Sequence, residues 1–280
     1  MDPTEAATQN IGDLPSALDH GDDLRRLIAD RRPAVFLDYD GTLTPIVDRP
    51  EDALLPPSTR AVIERLGRLV PLAILSGRDL SDVRRMVGVE GITYAGSHGF
   101  DVSRSDGSAH QRGREFLPDL EAAARALETR LAAIPGARVE RKTFAIAVHF
   151  RQVEEQRIPE VDAVLTEIAA AHPRLRRTGG KKVFELRPDI DWDKGAAVRW
   201  LLEVLGLEGT EHVPIYVGDD ETDEDALRAV RELGVGIVVR GEGDDRQTAA
   251  RFALRDTGET RAFLELVSGI VEGSAHSTER

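Results

Sequence analysis

A buried strand that ends in acid constrains this chain more than any other feature. The apolar run Ala34-Val35-Phe36 leads straight into Leu37-Asp38-Tyr39-Asp40-Gly41-Thr42-Leu43. Side chains at i and i+2 of a strand share a face, with about 6.6 Å between their backbone positions. One carboxylate at that spacing can attack an atom while the other handles a proton beside it. An open α/β sheet places its ligand at the carboxyl ends of its strands. Taken alone, these residues also fit a capped turn followed by an ordinary Asp-Gly loop.

The rest of the chain alternates helical and strand patterns, which points to the α/β class. Leu14 to Asp30 reads as a helix, Ala34 to Asp38 as a strand, and Pro57 to Leu69 as a helix with Ile63, Leu66 and Leu69 at helical spacing. Leu72 to Leu75 is a short apolar strand, Asp79 can cap the helix after it, and Ile92 to Ala95 is another strand. The texture changes near residue 100. Phe100 to Gln111 reads as a hairpin and Pro118 to Ile134 as an amphipathic helix. Val139 to Arg151 and Lys181 to Arg187 alternate as strands, with a helix from Pro159 to Ala171 between them. Such alternation suggests an antiparallel sheet covered on one face, hence an inserted block. After Pro188 the first texture returns: a helix from Asp193 to Leu205, a strand from Val213 to Val217, a helix, a strand from Val235 to Val239, and a last helix near Glu259 to Val271. Met1 to Gly12 and Gly273 to Arg280 read as loose tails.

Composition narrows the partners. The 280 residues leave room for two domains, and 41% hydrophobic residues can fill their cores. The net charge of -13, from 37 basic and 50 acidic residues, argues against nucleic acid and anionic membranes. An anionic ligand would then need a metal ion or clustered Lys and Arg to reverse the field locally. Cysteine is absent, which removes disulfides, thiolate metal sites and cysteine nucleophiles. No apolar stretch reaches the ~18 residues of a membrane span. The N-terminus lacks a signal-peptide pattern, so a cytoplasmic location is expected.

Three more clusters stand at element boundaries. Ser76-Gly77-Arg78 follows an apolar strand, where a hydroxyl, backbone N–H groups and a guanidinium suit an oxyanion; a plain helix cap is the alternative. Gly218 to Asp225 packs six acids into eight residues after another buried strand. Acids favour a helix start, which accounts for Glu221, Glu224 and Asp225. Asp219 and Asp220 stand at the strand tip, where converging carboxylates call for a hard cation such as Mg²⁺. Lys194 opens a helix against the helix dipole, and it either tolerates that at the surface or balances those acids. In the inserted block, His149 and Arg151 share one strand face, and Lys181, Glu185 and Arg187 share another. That is a solvated face or a grip on a polyhydroxyl ligand. Ala95-Gly96-Ser97-His98-Gly99 lacks the following helix of a nucleophile elbow, and Gly241-Glu242-Gly243 lacks the third glycine of a dinucleotide fingerprint.

Together and in this order, Asp-x-Asp-Gly-Thr, a Ser at a strand tip, a Lys at a helix start and Gly-Asp-Asp-x-x-Asp resemble the four motifs of the haloacid dehalogenase (HAD) superfamily. Within it, the stretches Leu37 to Ile46, Ser76-Gly77-Arg78, Gly96-Ser97-His98-Gly99, His149-Phe150-Arg151, Lys181 to Pro188 and Gly218 to Asp225 resemble the trehalose-6-phosphate phosphatases. Phe150 departs from the tyrosine common there. The resemblance covers about residues 20–270, and no synthase-like domain is expected ahead of it. It implies a Rossmann-like HAD core with a parallel sheet, plus an inserted smaller α/β cap domain of the C2 type. The expected parts are 13–101 and 188–271 for the core and 102–187 for the cap.

The same resemblance implies a magnesium-dependent hydrolase that converts trehalose 6-phosphate to trehalose and phosphate. Asp38 would be the nucleophile and Asp40 the acid and base. Ser76 and Lys194 would bind the transferring phosphoryl group. Mg²⁺ would be held by Asp38, the backbone carbonyl of Asp40, and Asp219, with Asp223 in support. Gly77, Arg78, His98, Lys142, His149, Lys181 and Glu185 would bind substrate, the last four as a sugar-reading set on a closing lid. A monomer acting on a small molecule is expected. Other sugar phosphates, such as sucrose 6-phosphate or glucosylglycerol phosphate, stay open as substrates. So does a non-catalytic sugar-phosphate sensor.

Overall fold

The strand predicted from residue 34 begins at Arg32 and runs to Asp38, with every residue from Pro33 on buried. The computed structural model describes residues 8–28, 31–47, 49–180, 182–241 and 243–278. Two compact units emerge, one made of residues up to 109 and from 192 on, the other of 110–191.

The first unit begins with β1 (Gln9–Asn10), α1 (Gly21–Ile28), β2 (Arg32–Asp38), α2 (Pro57–Leu69), β3 (Leu72–Leu75), α3 (Leu80–Val87), β4 (Thr93–Gly96), β5 (Asp101–Ser103) and β6 (Ala109–Gln111). The second unit carries α4 (Leu117–Leu131), β7 (Arg138–Arg141), β8 (Ile146–His149), α5 (Ile158–Ala171), β9 (Leu175–Gly180) and β10 (Val183–Pro188). The chain then returns to the first with α6 (Lys194–Val204), β11 (His212–Gly218), α7 (Glu224–Val230), β12 (Val235–Val239), β13 (Gln247–Thr248), β14 (Phe252–Leu254) and α8 (Thr257–Thr278).

The large sheet has the order β14-β12-β11-β2-β3-β4-β5-β6. It is parallel from β14 to β4, and β5 turns back antiparallel to β4. The expected hairpin at 100–111 is present as the end of this sheet. The chain starts at the central β2, moves one way through β3 and β4, and later returns to the other side through β11, β12 and β14. That reversal is a topological switch point, where such sheets open a crevice at the strand tips. Helix ends follow local chemistry: Pro57 opens α2, and Gly88, with φ +63°, closes α3 in the left-handed conformation. In the second unit the sheet is antiparallel, in the order β7-β8-β10-β9. One face packs Ile146, Val148 and Leu186 against Leu120, Leu127, Val161 and Leu165 of α4 and α5.

Several expectations need correction. The helix expected over 14–30 is only Gly21–Ile28, because Ala17 and Ser16 spend their backbone bonding on the β14 region, where Ala17 N–H donates to Ala253 O at 3.0 Å. The single strand expected from 139 to 151 is two, since Lys142 N–H turns back onto Ala145 O at 2.9 Å. The strand β9 reads as coil in the sequence because its arginines and glycines show no alternation. Asp79 does not cap α3 with its side chain; it accepts from Ser97 Oγ at 3.0 Å. Neither end behaves as a tail throughout: Gln9 and Asn10 pair with β13, and α8 runs on to Thr278. Residues 1–7, 279 and 280 lie outside the described residues. Among the described residues no helix is long and apolar enough to cross a membrane.

Candidate active site

Three adjacent strand tips converge. Register sets Asp38 level with Leu75 of β3, and Leu37 level with Val217 of β11. Asp38, Ser76 and Asp219 therefore leave the sheet side by side. Two glycines let the loops close in. Gly41 has φ +82°, and a Cβ there would lie 2.1 Å from Asp219 Oδ2. A Cβ on Gly218 would lie 2.4 Å from Asp223 Cγ.

Lys194 enters from α6. Asp193 caps that helix by accepting from Ala196 N–H at 2.7 Å, which makes Lys194 its first residue. The side chain is 3% exposed. Its ammonium donates to Asp38 Oδ1 and to Asp223 Oδ1, both at 2.6 Å. Tyr216 Oη–H also donates to Asp223 Oδ1. Asp223 Oδ2 accepts from the N–H groups of Asp219 at 3.0 Å and Asp220 at 2.9 Å. Asp223 is thus fully engaged, while among the described residues the Asp219 carboxylate receives only a long bond from Thr42 Oγ1 at 3.4 Å. One oxygen each of Asp38, Asp219 and Asp223 lie within 4.8 Å of one another.

Three ionised carboxylates around one ammonium leave an excess of two negative charges. Burial pushes Asp38 well above the usual carboxylate range; Lys194 pulls it down, while Asp223 and Asp219 push it up. Burial, with Asp223 beside it, pushes Asp219 up to about 7 against the pull of Lys194. Asp223 goes the other way. Burial raises it, but the Lys194 charge and the bonds from Lys194, Tyr216 and the Asp220 N–H outweigh that. Burial opposes the charge on Lys194, yet Asp223 and Asp38 hold it above its ordinary value. The rises at Asp38 and Asp219 come from burial and neighbouring acids that Lys194 alone does not offset. An all-oxygen donor set with two surplus charges fits a hard divalent cation.

Asp40 is placed differently. Arg78 Nε–H donates to Asp40 Oδ2 at 2.7 Å and Nη2–H to Oδ1 at 2.6 Å, so both oxygens act as acceptors. Its carboxylate is not part of the three-acid cluster. Ser76 Oγ accepts from Arg78 N–H at 3.0 Å. The turn at Ser97 and His98 wraps this segment, with Ser97 N–H on Arg78 O at 2.7 Å and His98 N–H on Ser76 O at 2.9 Å. Both residues are left-handed, at φ +49° and +56°, a conformation uncommon without glycine and typical of functional loops. The His98 ring lies where Gly77 would carry a Cβ, 2.8 Å away.

The second unit has its own polar face, turned away from α4 and α5. Register aligns Glu140, Ala147 and Glu185 across three strands, with His149 one pair along. Lys142 Nζ donates to Glu185 Oε1 at 2.6 Å, and His149 Nε2 is 2.6 Å from Glu140 Oε2. The expected fourth member, Lys181, lies outside the described residues.

Within the first unit, the structure brings together Asp38, Lys194 and Asp219 in one cluster, and Asp40, Ser76, Gly77, Arg78 and His98 in the loops beside it. Asp223, expected only as support, is the third member of the acid cluster. The sequence reading missed Tyr216 and Glu140. Tyr216 looks like one more apolar strand residue, but its hydroxyl, seven residues before Asp223 of the acidic loop, was a usable signal. Glu140 was readable only with the register of β7 against β8.

The trehalose-phosphatase family model matches residues 36–258. A trehalose-phosphate phosphatase of Mycolicibacterium paratuberculosis is 47% identical over 252 residues, covering 88% of this chain and 64% of that protein. Trehalose-phosphate phosphatase B of Arabidopsis thaliana is 40% identical over 90% of this chain and 70% of its own length. The crystal structure of a trehalose-6-phosphate phosphatase related protein superimposes with a TM-score of 0.73 at 27% identity, covering 85% of this chain and 97% of that one. The chain spans about three fifths of the length of the mycobacterial-type relatives it matches, at 64% and 60%.

Proposed function

Because the chain belongs to the trehalose-phosphatase family, we propose that it is a magnesium-dependent phosphoric monoester hydrolase that converts trehalose 6-phosphate to trehalose and phosphate. The observation that carries this reading is Asp38 at the tip of β2, held by buried Lys194 beside Asp219 and Asp223.

Asp38 is the nucleophile. Lys194 takes its Oδ1, and among the described residues nothing donates to its Oδ2. Attack by that oxygen on phosphorus forms an aspartyl-phosphate as the bond to the sugar oxygen breaks. Asp40 gives the leaving oxygen its proton, then takes one from the water that attacks the same phosphorus and frees Asp38. For the first transfer Arg78 must release one Asp40 oxygen, and a phosphoryl oxygen is a natural new partner for its guanidinium. Ser76 and Lys194 hold the transferring group and balance its charge. Asp38 and Asp219, with the backbone carbonyl of Asp40, would hold Mg²⁺, with Asp223 orienting the cluster. Bound there, Mg²⁺ supplies charge neutralisation for the phosphoryl oxygens and keeps the buried acids ionised. In the second unit, the face bearing Lys142, His149 and Glu185, with Lys181, recognises the disaccharide hydroxyls.

The test is incubation with trehalose 6-phosphate and Mg²⁺. Trehalose and phosphate should appear in equal amounts, with none after chelation and none from Asp38→Asn. Folded protein with Mg²⁺ that releases phosphate from no ester would instead make this a sugar-phosphate sensor.

A further inference from the structure

Asp219 has weak side-chain support for a metal ligand, so its aim must come from its backbone. Its N–H is fixed on Asp223 Oδ2 at 3.0 Å. Its carbonyl, one residue past the end of β11, accepts from Arg246 Nη2–H at 2.8 Å. Pinning both ends fixes Cα and Cβ, and so narrows the positions the carboxylate can reach.

Arg246 is itself held from several sides. Nη1–H donates to Asp244, and the backbone N–H reaches Asp244 Oδ1 at 3.3 Å. Nε lies 3.8 Å from Glu224 Oε1. Glu224 is buried and anchored through Oε2 to Ala249 N–H at 2.9 Å. The remaining support comes from the start of the chain. Gln9 and Asn10 pair with Thr248 and Gln247, Ile11 N–H donates to Arg246 O at 3.0 Å, and Asn10 Nδ2–H donates to Asp245 O at 2.6 Å. Ile11 is fully buried, which seats this segment on the fold.

We propose that Arg246 is a positioning residue for the metal-binding carboxylate of Asp219, and that the paired segment Gln9–Ile11 holds Arg246 in place. The segment is then a strap on the site rather than an appendage. The inference rests on Asp219 being a Mg²⁺ ligand.

Mg²⁺ titration calorimetry on the full chain tests it, with wild type, Arg246→Ala, Arg246→Lys and Asn10→Ala measured alike. Outer partners of metal ligands typically contribute about 10–100-fold in affinity, so Arg246→Ala should weaken Mg²⁺ binding by about 10-fold or more. Lysine can replace one donor but not the fork, so Arg246→Lys should recover only part. Asn10→Ala removes two hydrogen bonds at the next remove, Nδ2–H to Asp245 O and Gly12 N–H to Oδ1, and should weaken Mg²⁺ by about 2–10-fold. At saturating Mg²⁺ the KM for trehalose 6-phosphate should stay at the wild-type value, which a general loss of structure would not allow. Unchanged Mg²⁺ affinity in folded Arg246→Ala overturns the role of Arg246. Unchanged affinity in Asn10→Ala overturns the strap. Wild-type protein that takes up no Mg²⁺ removes the metal reading of Asp219 itself, and that outcome is distinct from the other two.

Discussion

Lys194, Asp38 and Asp223 of the first unit are sealed from water, whereas the charged pairs of the second unit's polar face are partly exposed. Lys194, Asp38 and Asp223 keep 3%, 7% and 0% of their side-chain surface exposed. Lys142 and Glu185 keep 17% and 16%, and His149 and Glu140 keep 28% and 35%. The charge balance differs as well. The buried cluster has more negative than positive groups, so it has room for the charge of a bound cation. The open face pairs each acid with a base, so it is complete by itself and can exchange those bonds for hydroxyls with little net change. Geometry that must not move belongs with the reaction. Pairs that can trade partners belong with selection.

Breaking the buried side should have the largest effect. Asp38→Asn should lower turnover in a phosphate-release assay by more than about 10⁴-fold, while circular dichroism finds the fold intact and denaturant midpoints find the metal-free protein no less stable, since one repelling charge is gone. An active, uncontaminated Asp38→Asn protein would remove the nucleophile. Next comes Lys194→Met. It strips the only ammonium in the cluster from three carboxylates, and loss of one partner from a buried ion pair costs about 3–5 kcal/mol. Urea unfolding should show that loss in metal-free protein, with part of it recovered by Mg²⁺. Equal stability with and without Lys194 would mean the acids are already neutral.

The open side should respond in selectivity instead. Lys142→Met and Glu185→Gln each remove a charged hydrogen-bonding group, worth about 1.5–3 kcal/mol. Each should therefore cut kcat/KM for trehalose 6-phosphate by about 10–100-fold, yet leave a simple aryl phosphate nearly untouched. Stability should change by less than about 1 kcal/mol, as for exposed pairs. Parallel losses on both substrates would erase the distinction between the two regions.

The smallest effect is a pH slope. Asp219 is pushed up to about 7 in the metal-free fold from an ordinary value of 3.8. Between those two values the native state holds a proton that the unfolded chain has released. Stability of metal-free protein should therefore fall as pH rises from about 4 to about 7, by at most about 1.4 kcal/mol per pH unit for each proton held. Asp38 acts in the same sense. Saturating Mg²⁺ should flatten the slope. A metal-free stability that rises through this window would contradict the surplus of negative charge.

The large sheet was legible because its central strands are continuous apolar runs, and β2, β4 and β11 end in an acid or a glycine. Asp38, Ser76, Lys194 and Asp219 were legible for the same reason: each stands at the boundary of a strongly patterned element. What the sequence hid depends on distant pairing. Whether Gln9 and Asn10 are tail or strand is decided by residues 247 and 248, and no local pattern carries that. The break at Lys142 is hidden because the polar run from Glu140 to Thr143 carries no glycine or proline to mark a turn. Glu140 became visible only once β7 was laid against β8, and the Arg78 bond to Asp40 joins residues 38 apart in sequence.

The most direct test of the account is kcat/KM over a panel of trehalose 6-phosphate, sucrose 6-phosphate, glucosylglycerol phosphate and an aryl phosphate, with Mg²⁺ and with chelator. The account predicts a preference of at least about 100-fold for trehalose 6-phosphate, with every activity abolished by chelation. Similar rates on all four esters would keep the buried site and discard the role of the open face, and activity that survives chelation would contradict the central claim that the buried acids work around a divalent cation.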